Sequence, residues 1–390
     1  MAKPAGARCN LDCAYCFYTE KTGLFPLARP MDEAMLERYV CDHMAAQPGD
    51  EVTFYWQGGE PILLGLDYFR HVVALQRRHA PAGKRIANVL QTNGVLIDDA
   101  WAGFLAEHGF LVGLSLDGPR RLHDRHRRDH QGRSSFDAVL AALACLQRHG
   151  VAVNTLTVVH RDNSRHGREI YRFLKRLGVE VMQFIPLVER LRPEGGLAPP
   201  PGPANDSTAT VAPWSVPPGG YGAFLCEIFD DWVKTDVGRI FVQPFDIALA
   251  LWAGLPSPLC VFAETCGDAL ALEHDGSVYA CDHYVYPEYR LGRLDEIPLV
   301  ELAASPAQRA FGLAKRETLP TECRACPFLF ACHGGCPKHR IAAGAANHLC
   351  PSYRRFFAHI APTMTRMVAL LEAGRAPAEV MFRPTPGAAR

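Results

Sequence analysis

Cys9, Cys13 and Cys16 stand in one run, Cys-Asn-Leu-Asp-Cys-Ala-Tyr-Cys. Three thiolates this close suit an iron–sulfur cluster. A 4Fe–4S cluster normally takes four cysteines, so one iron would stay open to another ligand. Zinc would want a fourth ligand nearby, and the nearest histidine, His43, sits in an amphipathic helical pattern. A second set follows far downstream: Cys260, Cys266, Cys281, Cys323, Cys326, Cys332, Cys336 and Cys350. Eight thiolates divide into two four-cysteine sites. By spacing alone, Cys323-x2-Cys326 with Cys332-x3-Cys336 fits a zinc ribbon as well as an iron–sulfur site. The N-terminal group favours iron, because both sets then serve redox chemistry. Of the fourteen cysteines, Cys41, Cys145 and Cys226 remain. Each has apolar neighbours in a helical pattern and is expected as a small buried hydrophobe.

Polar punctuation supplies the other candidates. The runs are Gln57-Gly58-Gly59-Glu60-Pro61, Gln91-Thr92-Asn93-Gly94 and Ser115-Leu116-Asp117-Gly118. Apolar periodicity predicts helices over 31–46, 66–79, 98–108, 134–149 and 164–177. These alternate with strands over 51–56, 85–90, 110–116, 151–159 and 179–185. Such alternation implies parallel strands covered by helices. The three runs then fall at successive strand C-termini, where βα barrels carry their chemistry. No G-x-G-x-x-G follows a strand, so a barrel fits better than a dinucleotide fold. Only eight residues precede Cys9, and the first barrel strand is expected to be short or missing, with the true start upstream. The segment 193–220 is rich in Pro, Gly, Ala and Ser and reads as a flexible insert. After Cys260 the βα rhythm stops. A hairpin is predicted over 269–280 with Asp275-Gly276 as its turn, a last helix over 352–371, and a disordered tail after Gly374.

At 390 residues, the prior is two or three domains. Lys+Arg and Asp+Glu are 41 each, which removes the electrostatic case for a general nucleic-acid or anionic-membrane binder. The segment from Arg120 to Arg133 is rich in Arg and His. It is read as a solvated loop, in which one Arg is free to grip a small carboxylate. The longest apolar run, 247–255, stops at Pro256, short of the roughly 18 residues that span a bilayer. With no apolar leader near the N-terminus, a cytoplasmic protein is expected.

The triad, Gly-Gly-Glu-Pro and Ser115-x-Asp117-Gly118 together resemble radical S-adenosylmethionine enzymes. The eight-cysteine region resembles the SPASM extension of that superfamily. Cys-Asn-Leu-x-Cys-x-Tyr-Cys-Phe-Tyr, Gln-Gly-Gly-Glu-Pro, Gln-Thr-Asn-Gly and Asp-Gly-Ser-Val-Tyr-x-Cys-Asp narrow the likeness to the anaerobic sulfatase-maturating enzymes. The resemblance implies an α/β fold, a partial (β/α)6 radical SAM barrel followed by a small cysteine-rich α+β SPASM domain. The implied division is a barrel core at 1–190, an insert at 191–220 and a connecting helical segment at 221–259. The SPASM domain with its last helix follows at 260–372, then a tail at 373–390. The resemblance further implies three 4Fe–4S clusters. The first is on Cys9, Cys13 and Cys16 and binds S-adenosylmethionine. One auxiliary cluster is on Cys260, Cys266, Cys281 and Cys336, and another on Cys323, Cys326, Cys332 and Cys350. Tyr15, Gly59, Ser115, Arg127 and Val188 match cosubstrate contacts, with Arg127 suited to its carboxylate. Gln57 and Glu60 share that pocket loop. Asp282 matches the family's proton acceptor. The implied reaction uses a 5′-deoxyadenosyl radical to oxidise a Cys or Ser of a sulfatase peptide to Cα-formylglycine. The implied electron donor is of flavodoxin or ferredoxin type. The alternatives are a SPASM maturase that crosslinks or oxidises another ribosomal peptide, and a non-catalytic zinc-binding protein.

Overall fold

Five parallel strands alternate with helices where the periodicity predicts them, and a sixth precedes them. A computed structural model describes residues 1–25, 29–201, 208–267, 269–342 and 344–382. The barrel elements are β1 (Ala2–Lys3), α1 (Glu33–Ala46), β2 (Glu51–Trp56), α2 (Leu66–His79), β3 (Arg85–Thr92), α3 (Asp99–Glu107), β4 (Leu111–Ser115), α4 (Arg120–His123), α5 (Phe136–Arg148), β5 (Ala152–Val159), α6 (Gly167–Arg176) and β6 (Val181–Pro186). Local chemistry sets several of the starts. Asp32 and Asp98 cap α1 and α3 by accepting the Met35 and Trp101 amides at 2.8 and 2.9 Å. Along β2, Val52, Phe54 and Trp56 are buried on one face, the two-residue period of a strand packed under helices.

The first strand is present but short, the first of the two alternatives expected. β1 has only two residues, too few to show any period, yet it is the joint of the molecule. Ala2 pairs in parallel with Trp56 on one side and with Leu272 on the other. Through it the barrel sheet continues into β10 (Ala271–Glu273), β11 (Ser277–Tyr279) and β12 (Arg290–Arg293). The predicted hairpin over 269–280 corresponds to β10 and β11.

Two segments differ from their composition. The insert forms an antiparallel pair, β7 (Arg190–Leu191) with β8 (Thr210–Val211). Its return limb buries Ala212, Ser215 and Val216, and Ser215 Oγ accepts the Glu189 amide at 3.0 Å. Packing overrides Pro and Gly content here. The expected connector is a barrel unit instead. α7 (Gly220–Thr235) leads into β9 (Phe241–Val242), which extends the sheet in parallel beside β6, and α8 (Gln243–Trp252) follows.

The cysteine-rich region adds α9 (Leu299–Ala303), α10 (Pro306–Glu317), α11 (Thr321–Arg324), α12 (Leu329–Cys332) and α13 (Cys350–Glu372). Beyond Gly374, where disorder is expected, a 3-10 turn at Pro377–Met381 docks Val380 into the core. Residues 383–390 lie outside the described residues. No helix among the described residues is long and apolar enough to cross a membrane.

Candidate active site

The C-terminal ends of the strands open onto a cavity of about 440 Å³. Cys9, Cys13 and Cys16 line one part of it, and Cys260, Cys266, Cys281 and Cys336 another. Tyr15, Gln57, Gly59, Glu60, Ser115, Arg127, Val188 and Asp282 also line it. One space therefore brings together every predicted cosubstrate contact, the predicted base and seven of the predicted ligands. The other four form a separate group: Cys323 on α11, Cys326 in the turn after it, Cys332 at the end of α12 and Cys350 at the start of α13.

The triad loop is held by backbone contacts from two sides. Gly59 N and Glu60 N donate to Gly6 O and Arg8 O at 2.8 and 2.7 Å. A Cβ on residue 59 would run into the Arg8 carbonyl, so the approach requires glycine. On the other side, Asp12 N and Ala14 N donate to Arg128 O and His126 O at 2.8 and 3.2 Å, and His130 Nε2 lies 3.0 Å from Cys9 O. The Arg120–Arg133 segment is thus a clamp over the cysteines and not the solvated loop expected from its charge. Glu60 is fully buried. It accepts from Thr92 Oγ1 and Asn93 N, both at 2.7 Å, and from Ile62 N at 3.3 Å. It thereby ties the second strand loop to the third. Burial pushes its carboxyl up to about 7, against the pull of these donors.

The thiols suit iron better than zinc. Tetrahedral Zn–S bonds of about 2.3 Å set sulfurs roughly 3.8 Å apart. Among the described residues, two groups of three possible ligands have donor atoms all within 4.8 Å of one another: Asp99/Cys145/His149 and His126/His160/Asp162. None of the three cysteine sets is among these tight groups. Cys9 Sγ also receives N–H groups from Leu11 at 3.4 Å and Asn93 Nδ2 at 3.7 Å. Such donors to sulfur are among the features that tune cluster potentials. Of the three cysteines left over, Cys145 and Cys226 are buried as expected, but Cys41 is only half-buried on α1.

Several residues of the cavity wall escaped sequence reasoning. Asp282 shares the cavity wall with His283, Lys3 and Lys338. Burial pushes its carboxyl up, but His283, Lys3 and Lys338 outweigh that and hold it below its ordinary value. Lys3 lies 3.8 Å above the Tyr18 ring and 3.9 Å from Glu273, while Lys338 pairs with Glu189. Nothing around Lys3 or Lys338 in the sequence marks them. Asn93 and Asp117 did lie in noted motifs, but their contacts are tertiary.

Comparison with known proteins agrees with this geometry. The Radical SAM superfamily matches residues 4–174, and an iron–sulfur cluster-binding domain, SPASM, matches 260–327. The serine-type anaerobic sulfatase-maturating enzyme of Bacteroides thetaiotaomicron is 40% identical over 388 residues, 98% of this chain and 94% of that protein. The chain belongs to the anaerobic sulfatase-maturating enzymes. The cysteine-type enzyme of Clostridium perfringens is 34% identical over 373 residues, 93% of this chain and 96% of its own length. The solved structure of native anSMEcpe with bound AdoMet and a peptide superposes with a TM-score of 0.84 at 33% identity, covering 94% of this chain and 98% of that one. As a sulfatase-maturating enzyme with Radical SAM and SPASM regions, the chain is a radical SAM oxidoreductase with iron–sulfur sites.

Proposed function

We propose that this enzyme oxidises Cβ of a Cys or Ser in a sulfatase peptide to the aldehyde of Cα-formylglycine. One observation carries the reading: the triad and Asp282, held anionic, line the same cavity. A 4Fe–4S cluster on Cys9, Cys13 and Cys16, with S-adenosylmethionine bound, supplies hydrogen-abstracting 5′-deoxyadenosyl chemistry. Arg127 and Ser115 bind and orient the cosubstrate, with Tyr15, Gln57, Gly59, Glu60 and Val188 shaping its pocket. Asp282 takes the thiol or hydroxyl proton, which requires hydrogen-bond reach of that group. His283, Lys3 and Lys338 keep the Asp282 carboxylate charged and ready to accept. Cys260, Cys266, Cys281 and Cys336 would hold one auxiliary cluster, and Cys323, Cys326, Cys332 and Cys350 another, for three per chain. A flavodoxin- or ferredoxin-type donor in the cytoplasm completes the reading.

The test uses anaerobically reconstituted enzyme with matched Cys- and Ser-containing sulfatase peptides, followed by mass and by aldehyde-specific derivatisation. Aldehyde formation with stoichiometric 5′-deoxyadenosine is expected. Asp282→Asn, which keeps the size but removes the base, should still make 5′-deoxyadenosine, while aldehyde falls about a hundredfold. A crosslinked product in place of the aldehyde overturns the reaction. Aldehyde at the parent rate from the variant overturns the base.

A further inference from the structure

Asp117 follows the fourth strand two residues after Ser115 and sits behind the cavity wall, with no exposed surface. Its Oδ2 accepts the Tyr15 hydroxyl at 2.5 Å and Arg127 Nε–H at 2.9 Å, and its Oδ1 accepts the Val158 amide at 2.9 Å. Tyr15 and Arg127 both line the cavity. Arg127 is itself buried, and Asp117 is its ion-pair partner among the described residues. The anchor takes Nε alone. No protein acceptor among the described residues meets the two terminal nitrogens of this guanidinium. A planar guanidinium tied at Nε presents its other donors in one fixed orientation, the one a carboxylate meets in bidentate fashion. The Tyr15 ring backs the guanidinium carbon at 5.6 Å. His123 supports Asp117 from behind, its Nδ1 accepting the Asp117 amide at 3.3 Å. Burial opposes the Asp117 charge, but Arg127, His123, His160 and the Tyr15 hydroxyl hold the carboxyl below its usual range.

We propose that Asp117 is a positioning residue for the cosubstrate: by holding Arg127 at Nε and Tyr15 at its hydroxyl, it fixes the donor fork that receives the methionine carboxylate of S-adenosylmethionine. The proposal rests on the assignment of Arg127 to that carboxylate. It also explains why Ser115-x-Asp117-Gly118 joins a residue on the cavity to one behind it.

The experiment measures binding of S-adenosylmethionine and of its decarboxylated analogue to reconstituted holoenzyme by equilibrium dialysis, with iron content recorded for each protein. The parent should bind the analogue more weakly than the cosubstrate. In Asp117→Asn, affinity for S-adenosylmethionine should fall about tenfold, while affinity for the analogue changes less than about twofold. Tyr15→Phe removes one hydroxyl and leaves the ion pair. It should show the same selectivity with a loss of about threefold, and it decides the matter if Asp117→Asn does not fold. Equal losses for both ligands, or none, in a folded variant would reduce Asp117 to a structural role. A parent that binds both ligands equally would instead remove the Arg127 assignment, and the proposal with it.

Discussion

Cys9 and Cys13 are half-buried beside the cavity, and the desolvation of that setting pushes their thiols up to about 11 and about 12. Ligation needs thiolates, so near neutrality each iron–thiolate bond releases a proton. The sign follows. Raising the pH removes protons that compete with iron, and iron held by the triad against a chelator should increase from pH about 7 to about 9. A variant keeping only the triad, with the eight distal cysteines replaced, isolates this dependence. Retention that ignores pH would show the thiols to be ionised already. The same arithmetic reads differently at Asp282, where three neighbouring side chains outweigh burial and leave the carboxylate charged. The carboxyls of Glu60, pushed up, and Asp282, held down, thus separate by environment, and that environment is not visible in a run such as Cys281-Asp282.

At the scale of elements, the ligands depend on neighbours that do no chemistry. Lys315 on α10 is fully buried. Its Nζ donates to Cys260 O at 2.7 Å, to Val261 O at 3.0 Å and to Ala263 O. One ammonium thus gathers the carbonyls of the loop that presents Cys260, and satisfies groups that would be costly to bury unpaired. Lys315→Met keeps the length and removes the donors. It should lose about one of the three proposed clusters, seen as a drop of roughly one third in iron per chain. 5′-Deoxyadenosine formation at the triad should persist. Unchanged iron content would show that the Cys260 loop holds its shape without the lysine. The clamp over the triad is the parallel case on the barrel side. There the backbone of Arg120–Arg133 serves the cysteine loop, whatever the side-chain charge suggests.

At the scale of the whole molecule, the barrel and the cysteine-rich region share their apolar core. A single apolar cluster runs from Leu114 and Leu116 through Phe224, Ile228 and Phe245 to Phe356, Ile360 and Met364. It takes in barrel helices and the last helix of the cysteine-rich region together. A second cluster joins Phe54 and Trp56 to Leu272, Val278 and Leu294. Where α7 crosses α13, a Cβ on Gly222 would strike the Ser352 backbone. Gly222→Ala should therefore overpack the joint by about 1–3 kcal/mol. By anaerobic scanning calorimetry, the expected result is a lower Tm with one transition. Two resolved transitions would mean that the halves unfold separately.

Periodicity and residue type determined much of this on their own. Strands and helices from Met31 to Pro186 repeat every 2 or 3.6 residues over lengths that leave little ambiguity, and the motif loops fall at their ends because a parallel βα chain must turn there. Cysteine grouping likewise pointed to the clusters, since thiols spaced in this way suit metal or redox sites. Tertiary structure alone decided what short or composition-poor segments do. Ala2–Lys3 carries no period, yet its two residues close the sheet between Trp56 and Leu272. Residues 208–220 look like linker, but pack because neighbouring apolar surface covers them. Lys3, Lys338, Lys315 and Asp117 acquire their roles from partners distant in sequence, among them Glu273, Glu189, Cys260 and Tyr15. A buried charge is tolerated only where folding brings its partner, and the sequence holds no local trace of such a meeting.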